Sequence, residues 1–263
     1  TPFAVISDKA NNRKYPIADY SLTPTVAIVD PALVLTVPGF VAADTGMDVL
    51  THATEAYVSQ MASDFTDGLA LQAIKLVFEN LESSVKNADF HSREKMHNAS
   101  TIAGMAFANA FLGISHSMAH KIGAQFHTIH GRTNAILLPY VIRYNGTRPA
   151  KTATWPKYNY YRADEKYQDI ARILGLPAST PEEGVESFAT AVYELGERVG
   201  IEMNFKAQGI DEKEWKEHSR ELAFLAYEDQ CSPANPRLPM VDHMQEIIED
   251  AYYGYKERPG RRK

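Results

Sequence analysis

The sequence has 263 residues, with 27 basic and 33 acidic side chains for a net charge of −6. That length supports one or two cores, so one domain plus part of another is the expected scale. The acidic balance argues against a grip on nucleic acid or an anionic membrane surface.

Up to about residue 40 the chain reads as strands. Phe3 to Ile6 is a short apolar run, ended by the turn-rich stretch from Asp8 to Arg13. Tyr15 to Ala18 is a second strand, and the β-branched run Thr25 to Val29, closed by Asp30-Pro31, is a third. Two or three strands do not make a stable sheet alone, so residues 1–40 are expected to be the end of a larger sheet domain. The first residue is Thr1, which suggests a fragment or a processed piece.

From residue 41 to 263 the pattern is helical almost throughout, so the fold class is mainly α. One helix is expected over about 44–59. Another follows over about 65–85, where Leu69, Ala73, Leu76, Val77 and Asn80 recur at turn spacing. Lys95 to Ala124 is rich in Ala, Gly, Ser and Met, small side chains that suit a buried central helix. Pro149 to Tyr161 reads as a long ordered loop. Thr180, Pro181 and Glu183 form a helix start, and Gly200 fits that helix's end. Asp211 to Glu214 repeats the start signal, and Met240 to Tyr253 is the last helix. The basic C-terminus, Lys256 to Lys263, reads as a solvated disordered tail.

The chemistry lies in the histidines. Of nine in the chain, four fall in one 15-residue window: His116, His120, His127 and His130. Asp48 and His52 stand four apart on a helix, so both project from one face. His116 and His120 share that relation. Several imidazoles with one carboxylate suit a divalent transition metal and suit calcium poorly. Spacing leaves open which of the four clustered histidines are ligands. There is no phosphate-binding glycine loop, no nucleophile elbow and no H-E-x-x-H. No apolar run approaches the ~18 residues of a membrane span, and nothing resembles a signal peptide. The single cysteine, Cys231, excludes an intrachain disulfide framework and fits a reducing cytoplasm.

Gly46 to Tyr57, GMDVLTHATEAY, resembles the first signature of iron-containing (group III) alcohol dehydrogenases. Gly113 to Ala124, GISHSMAHKIGA, continuing through His127 to Gly131 and Asn134 to Pro139, resembles the second. The resemblance covers essentially the whole chain. Within the family it is nearest to the alcohol dehydrogenase part of bifunctional aldehyde–alcohol dehydrogenases, as the Tyr-rich segment after Lys157 and the ending from Asp250 to Pro259 suggest.

That resemblance implies the helical metal-binding domain of the dehydroquinate synthase-like, iron alcohol dehydrogenase fold. It implies Asp48, His52, His116 and His130 as metal ligands and His120 as a proton-path residue beside them. His127 is then a surface or loop residue. Phe107, Leu112 and Cys231 match positions lining the substrate pocket, and Thr1 borders the cofactor. The cofactors implied are Fe2+, with Zn2+ accepted by the same ligands, and NAD(H). The nicotinamide nucleotide is bound mostly by a preceding domain that carries the glycine-rich loop. The implied reaction is acetaldehyde to ethanol, in the cytoplasm, by a homo-oligomer or a spirosome-type filament. A metal-dependent hydrolase and a non-catalytic assembly module are the alternatives. The lack of a second carboxylate near either motif counts against the hydrolase.

Overall fold

The computed structural model describes residues 1–8, 13–149 and 161–254. Most of the expected loop over 149–161 and the basic tail from Lys256 lie outside the described residues.

Strand β1 (Phe3–Asp8) pairs antiparallel with β2 (Arg13–Ala18), Phe3 opposite Ala18. The third expected strand does not form. Thr25 to Val29 runs irregularly, with Val26 75% and Ile28 85% exposed. Strand preference in β-branched residues depends on a pairing edge and a packed face, and neither is offered here. Asp30 instead accepts from the Ala32 N–H at 2.9 Å and opens a short 3-10 turn, Pro31–Val34.

The helices start where side chains satisfy their first N–H groups. Helix α1 (Gly39–Val58) leads into α2 (Asp64–Lys86), which opens on a Ser63/Thr66 capping box. Helix α3 (Phe90–Ala110) is capped by Asp89. The expected single helix through Lys95 to Ala124 is in fact two. Phe111 adopts φ +65°, and the chain turns by 107° into α4 (Ile114–Phe126). Local composition favours continued helix; the contacts Gly113 makes around the corner override it. A Cβ there would lie 2.8 Å from Asn235 Oδ1 and 2.9 Å from Glu55 Oε1.

Next come α5 (His130–Gly146), α6 (Ala163–Ile173), α7 (Pro181–Arg198), α8 (Glu212–Tyr227) and α9 (Val241–Tyr253). Thr180 accepts from the Glu183 N–H at 3.2 Å, and Gly200 closes the turn after α7 at φ +85°. Asp211 caps α8 through the N–H groups of Lys213 and Glu214. No single helix among the described residues is long and apolar enough to cross a membrane.

Two cores result. One is built by α1, α2, α3, α6 and α7, with alanines such as Ala53, Ala73, Ala99 and Ala106 wholly buried where helices approach closely. The other lies among α4, α8 and α9 and is aromatic, around Trp215, Phe205 and Tyr252. Helix α5 serves both: Ala135, Leu138 and Ile142 face the first, and Ile136, Leu137 and Val141 face the second. The histidines gather on this seam.

Candidate metal centre

Helix α1 supplies Asp48 and His52, one turn apart. The His52 Nδ1 donates to the Asp48 main-chain carbonyl at 2.8 Å. A carbonyl only accepts, so Nδ1 carries the hydrogen and Nε2 keeps its lone pair. Helix α4 supplies His116, whose Nε2 stands 3.7 Å from Asp48 Oδ1. One ligand atom from each of Asp48, His52 and His116 lies within 4.8 Å of the others. His130, at the first position of α5, brings its Nε2 to 3.8 Å from Asp48 Oδ1 and is 40% exposed. Asn134, one turn along, donates to Asp48 Oδ1 at 2.8 Å and lies 3.2 Å from His130 Nε2.

Gly131 makes the crossing of α1 and α5 possible. A Cβ there would sit 2.2 Å from the Asp44 carbonyl oxygen and 3.1 Å from Asp48 Cβ. Arg132 secures the same crossing with two hydrogen bonds to the Asp44 carboxylate, at 2.9 and 3.1 Å.

The electrostatics favour a cation. Burial alone would raise the Asp48 carboxyl, but His52, His130, His116 and the Asn134 hydrogen bond together hold it below its ordinary value. Burial, reinforced by His52, pushes His116 well below an ordinary imidazole, so it is neutral at physiological pH. Its Nε2 is buried without a hydrogen-bond partner among the described residues. An orphaned acceptor in a buried site is costly, and a divalent ion facing Asp48 relieves it. The donor set therefore fits a transition metal.

His120 stacks on His130 with ring centroids 5.5 Å apart, and its Nδ1 meets Asp229 Oδ2 at 3.2 Å. Lys121 reaches the same oxygen at 2.8 Å. Burial works to raise the Asp229 carboxyl, yet His120, Lys121 and the Cys231 N–H hold it well below the carboxylate range. Cys231 is buried beside them, and burial pushes its thiol far up. The fold thus places Cys231 in a group with His120 and Asp229. Phe107 stacks on His52 with ring centroids 4.6 Å apart and meets Phe3 at a tilt, 5.7 Å away. Leu112 is buried in the turn between α3 and α4. Thr1 is exposed beside α3, its Cγ2 3.4 Å from where a Gly104 Cβ would be. His127 stands apart, exposed at φ +54° in the turn after α4.

Glu55, Asn134 and Asp229 join the site without having been expected there from the sequence. Glu55 corrects the statement that neither motif has a second carboxylate nearby: its Oε2 is 2.6 Å from His116 Nδ1. Burial pushes this carboxyl up to about 7, against the pull of the Gly113 and Ser115 N–H groups. Its position one turn after His52 was a usable signal, as was that of Asn134 after His130. Asp229 lies too far along the chain for spacing to find it.

Residues 42–252 match the model of the Fe-containing alcohol dehydrogenase family, C-terminal. The chain belongs to the iron-containing alcohol dehydrogenase family. It is 97% identical over 263 residues to an aldehyde-alcohol dehydrogenase of Streptococcus pneumoniae serotype 2, covering 100% of this chain and 30% of that protein. It is 45% identical to the bifunctional aldehyde-alcohol dehydrogenase of Escherichia coli, over 97% of this chain and 29% of that protein. The chain therefore spans less than a third of the length of these relatives. Among solved structures, an iron-containing alcohol dehydrogenase from Thermococcus thioreducens matches with a TM-score of 0.84 and 34% identity. That match covers 97% of this chain and 61% of the other. The helical architecture expected from the two motifs is that of the family.

Proposed function

We propose that this chain carries the metal and alcohol site of a metal-dependent, NAD(H)-linked alcohol dehydrogenase that interconverts acetaldehyde and ethanol by hydride transfer. The observation that carries the reading is the convergence of Asp48, His52, His116 and His130 from three helices, with the buried His116 Nε2 facing the carboxylate and unpartnered among the described residues. Fe2+ is the proposed ion, and Zn2+ accepts the same ligands. Residues 1–40 are read as the end of a nucleotide-binding domain that holds most of the NAD(H), with Thr1 at its border, and residues 41–263 as the metal-binding domain. Cytoplasmic location and self-association, as an oligomer or filament, complete the proposal.

A divalent ion bound there supplies Lewis acidity toward the substrate oxygen, and the nicotinamide supplies or takes the hydride. The protein's own groups orient and protonate. Asp48 places a carboxylate beside the imidazoles of His52, His116 and His130. His120 has Nδ1 tied to Asp229, which leaves Nε2 to hand a proton to the alcohol oxygen or take it back. Phe107, Leu112 and Cys231 are the apolar walls that exclude water and limit the substrate to a small aldehyde. A hydrolase would need a carboxylate free to activate water. Glu55 is bonded to His116 and Ser115, and Asp229 to His120 and Lys121, so neither serves.

Metal analysis of anaerobically purified full-length protein tests the assignment. Asp48→Ala and His116→Ala are expected to lose bound metal and NADH-dependent acetaldehyde reduction, and His127→Ala to keep both. Equal metal content in all three variants would sink it.

A further inference from the structure

Each histidine with its Nδ1 fixed is fixed by something different. His52 is oriented by a carbonyl of its own helix, which any helical histidine can find. His116 has no such local partner; its Nδ1 is met at 2.6 Å by Glu55 Oε2, from another helix, 61 residues away in sequence. The other oxygen, Oε1, accepts the Ser115 N–H at 2.7 Å. Both side chains are almost wholly sealed, His116 1% and Glu55 2% exposed. Helix α4 has no side-chain cap of its own at Gly113, so the Glu55 carboxylate occupies the positive end of that helix, where negative charge is favoured. Gly113 permits the approach, since a Cβ would come within 2.9 Å of Oε1.

We propose that Glu55 is a positioning residue for the metal site, holding His116 in the one tautomer and ring orientation that aims the Nε2 lone pair at the ion. The inference rests on His116 being a ligand, as proposed above. With a cation on Nε2 the Glu55 carboxylate is held ionised, and an ionised carboxylate only accepts, so Oε2 at 2.6 Å requires the ring hydrogen on Nδ1. The hydrogen cannot then sit on Nε2. Nε2 is 3.7 Å from Asp48 Oδ1, beyond hydrogen-bond distance, and has no other partner among the described residues; a hydrogen on it would be stranded in the interior. Carboxylates that orient a ligand imidazole in this way typically change metal affinity by about 10–100-fold when removed.

Glu55→Gln is the discriminating variant because it keeps the shape. Its amide oxygen can still accept from Ser115, but the amide NH2 then faces His116 Nδ1 and forces the ring hydrogen onto Nε2, blocking the ligand nitrogen. Co2+ binding to the metal-free full-length protein, followed by visible absorption with a competing chelator, reads the effect. Glu55→Gln is expected to bind Co2+ about 10–100-fold more weakly, with unchanged helical circular dichroism. On a His116→Ala background the same substitution is expected to change affinity less than about twofold, since the ring it orients is gone. A purely structural role predicts losses that multiply in the double variant. That result, or wild-type affinity in Glu55→Gln alongside a loss in His116→Ala, overturns the inference while the ligand set stands. Wild-type affinity in His116→Ala overturns both. Should Glu55→Gln fail to fold, 15N spectra of the histidines in the unsubstituted metal-free protein decide. Hydrogen on His116 Nδ1 supports the assignment, and hydrogen on Nε2 refutes it.

Discussion

The two cores are built from opposite materials. Around α1, α2 and α3 the buried faces are largely alanine, and the helices approach closely enough that Gly46 could not carry a methyl group without meeting Leu81 at 2.2 Å. Around α4, α8 and α9 the filling is aromatic, with Trp215 stacked between Phe126, Phe205 and Tyr252 at 4.9–5.1 Å. Close packing fixes helix positions through backbone contact, whereas bulky rings space them apart. The site takes Asp48 and His52 from the first kind of region and His116 from the second. The α1–α5 crossing and the Glu55–His116 contact are what bring the two into register.

The two cores are expected to differ in how they fail. The largest effect is expected from Trp215→Ala, about 3–5 kcal/mol of stability for a wholly buried indole, read by urea denaturation. One displaced transition means the cores unfold together; a separate early transition would split them. Gly131→Ala comes next, at about 1–3 kcal/mol for overpacking. Because its new methyl meets Asp44 and Asp48 at the crossing, it should also weaken Co2+ binding, which Trp215→Ala should affect less. A reversed order would place the register elsewhere.

Asp229→Asn is expected to cost about 1.5–3 kcal/mol at neutral pH, the scale of hydrogen bonds to a charged group. The folded carboxyl lies below its unfolded value of 3.8. Its contribution is therefore fully present above that pH and is lost as pH falls toward the folded value. Wild-type protein should lose stability on acidification faster than Asp229→Asn, and parallel curves would show that the Lys121 and His120 contacts contribute nothing. The smallest effect is Thr180→Ala, about 1 kcal/mol for a lost cap, with metal content unchanged because the bond lost is to Glu183 in the first turn of α7 and touches none of the site residues.

Much of the helical framework was legible because its signals are local. Thr180 and Pro181, Asp211, and the recurrence of Ala73, Val77 and Asn80 each act within a turn or two of the chain. The Asp48–His52 and His116–His120 spacings are legible for the same reason, since an α-helix fixes which side chains share a face. The strand expected at Thr25 to Val29 failed because a strand needs a neighbour, which no local pattern supplies. The continuous helix expected through Phe111 failed because its small residues favour helix on both sides of a corner that packs against the distant Glu55 and Asn235.

The sequence by itself determined the helical class, the Asp48–His52 and His116–His120 pairs one turn apart and, through its two motifs, the family. Tertiary structure decided where those pairs meet, that Asn134 and Asp229 lie against the site, and that His116 turns a buried Nε2 toward Asp48. The reason is physical. Spacing along one helix sets a face, but the distance between α1 and α4 depends on packing across the seam, and no stretch of either helix encodes that alone.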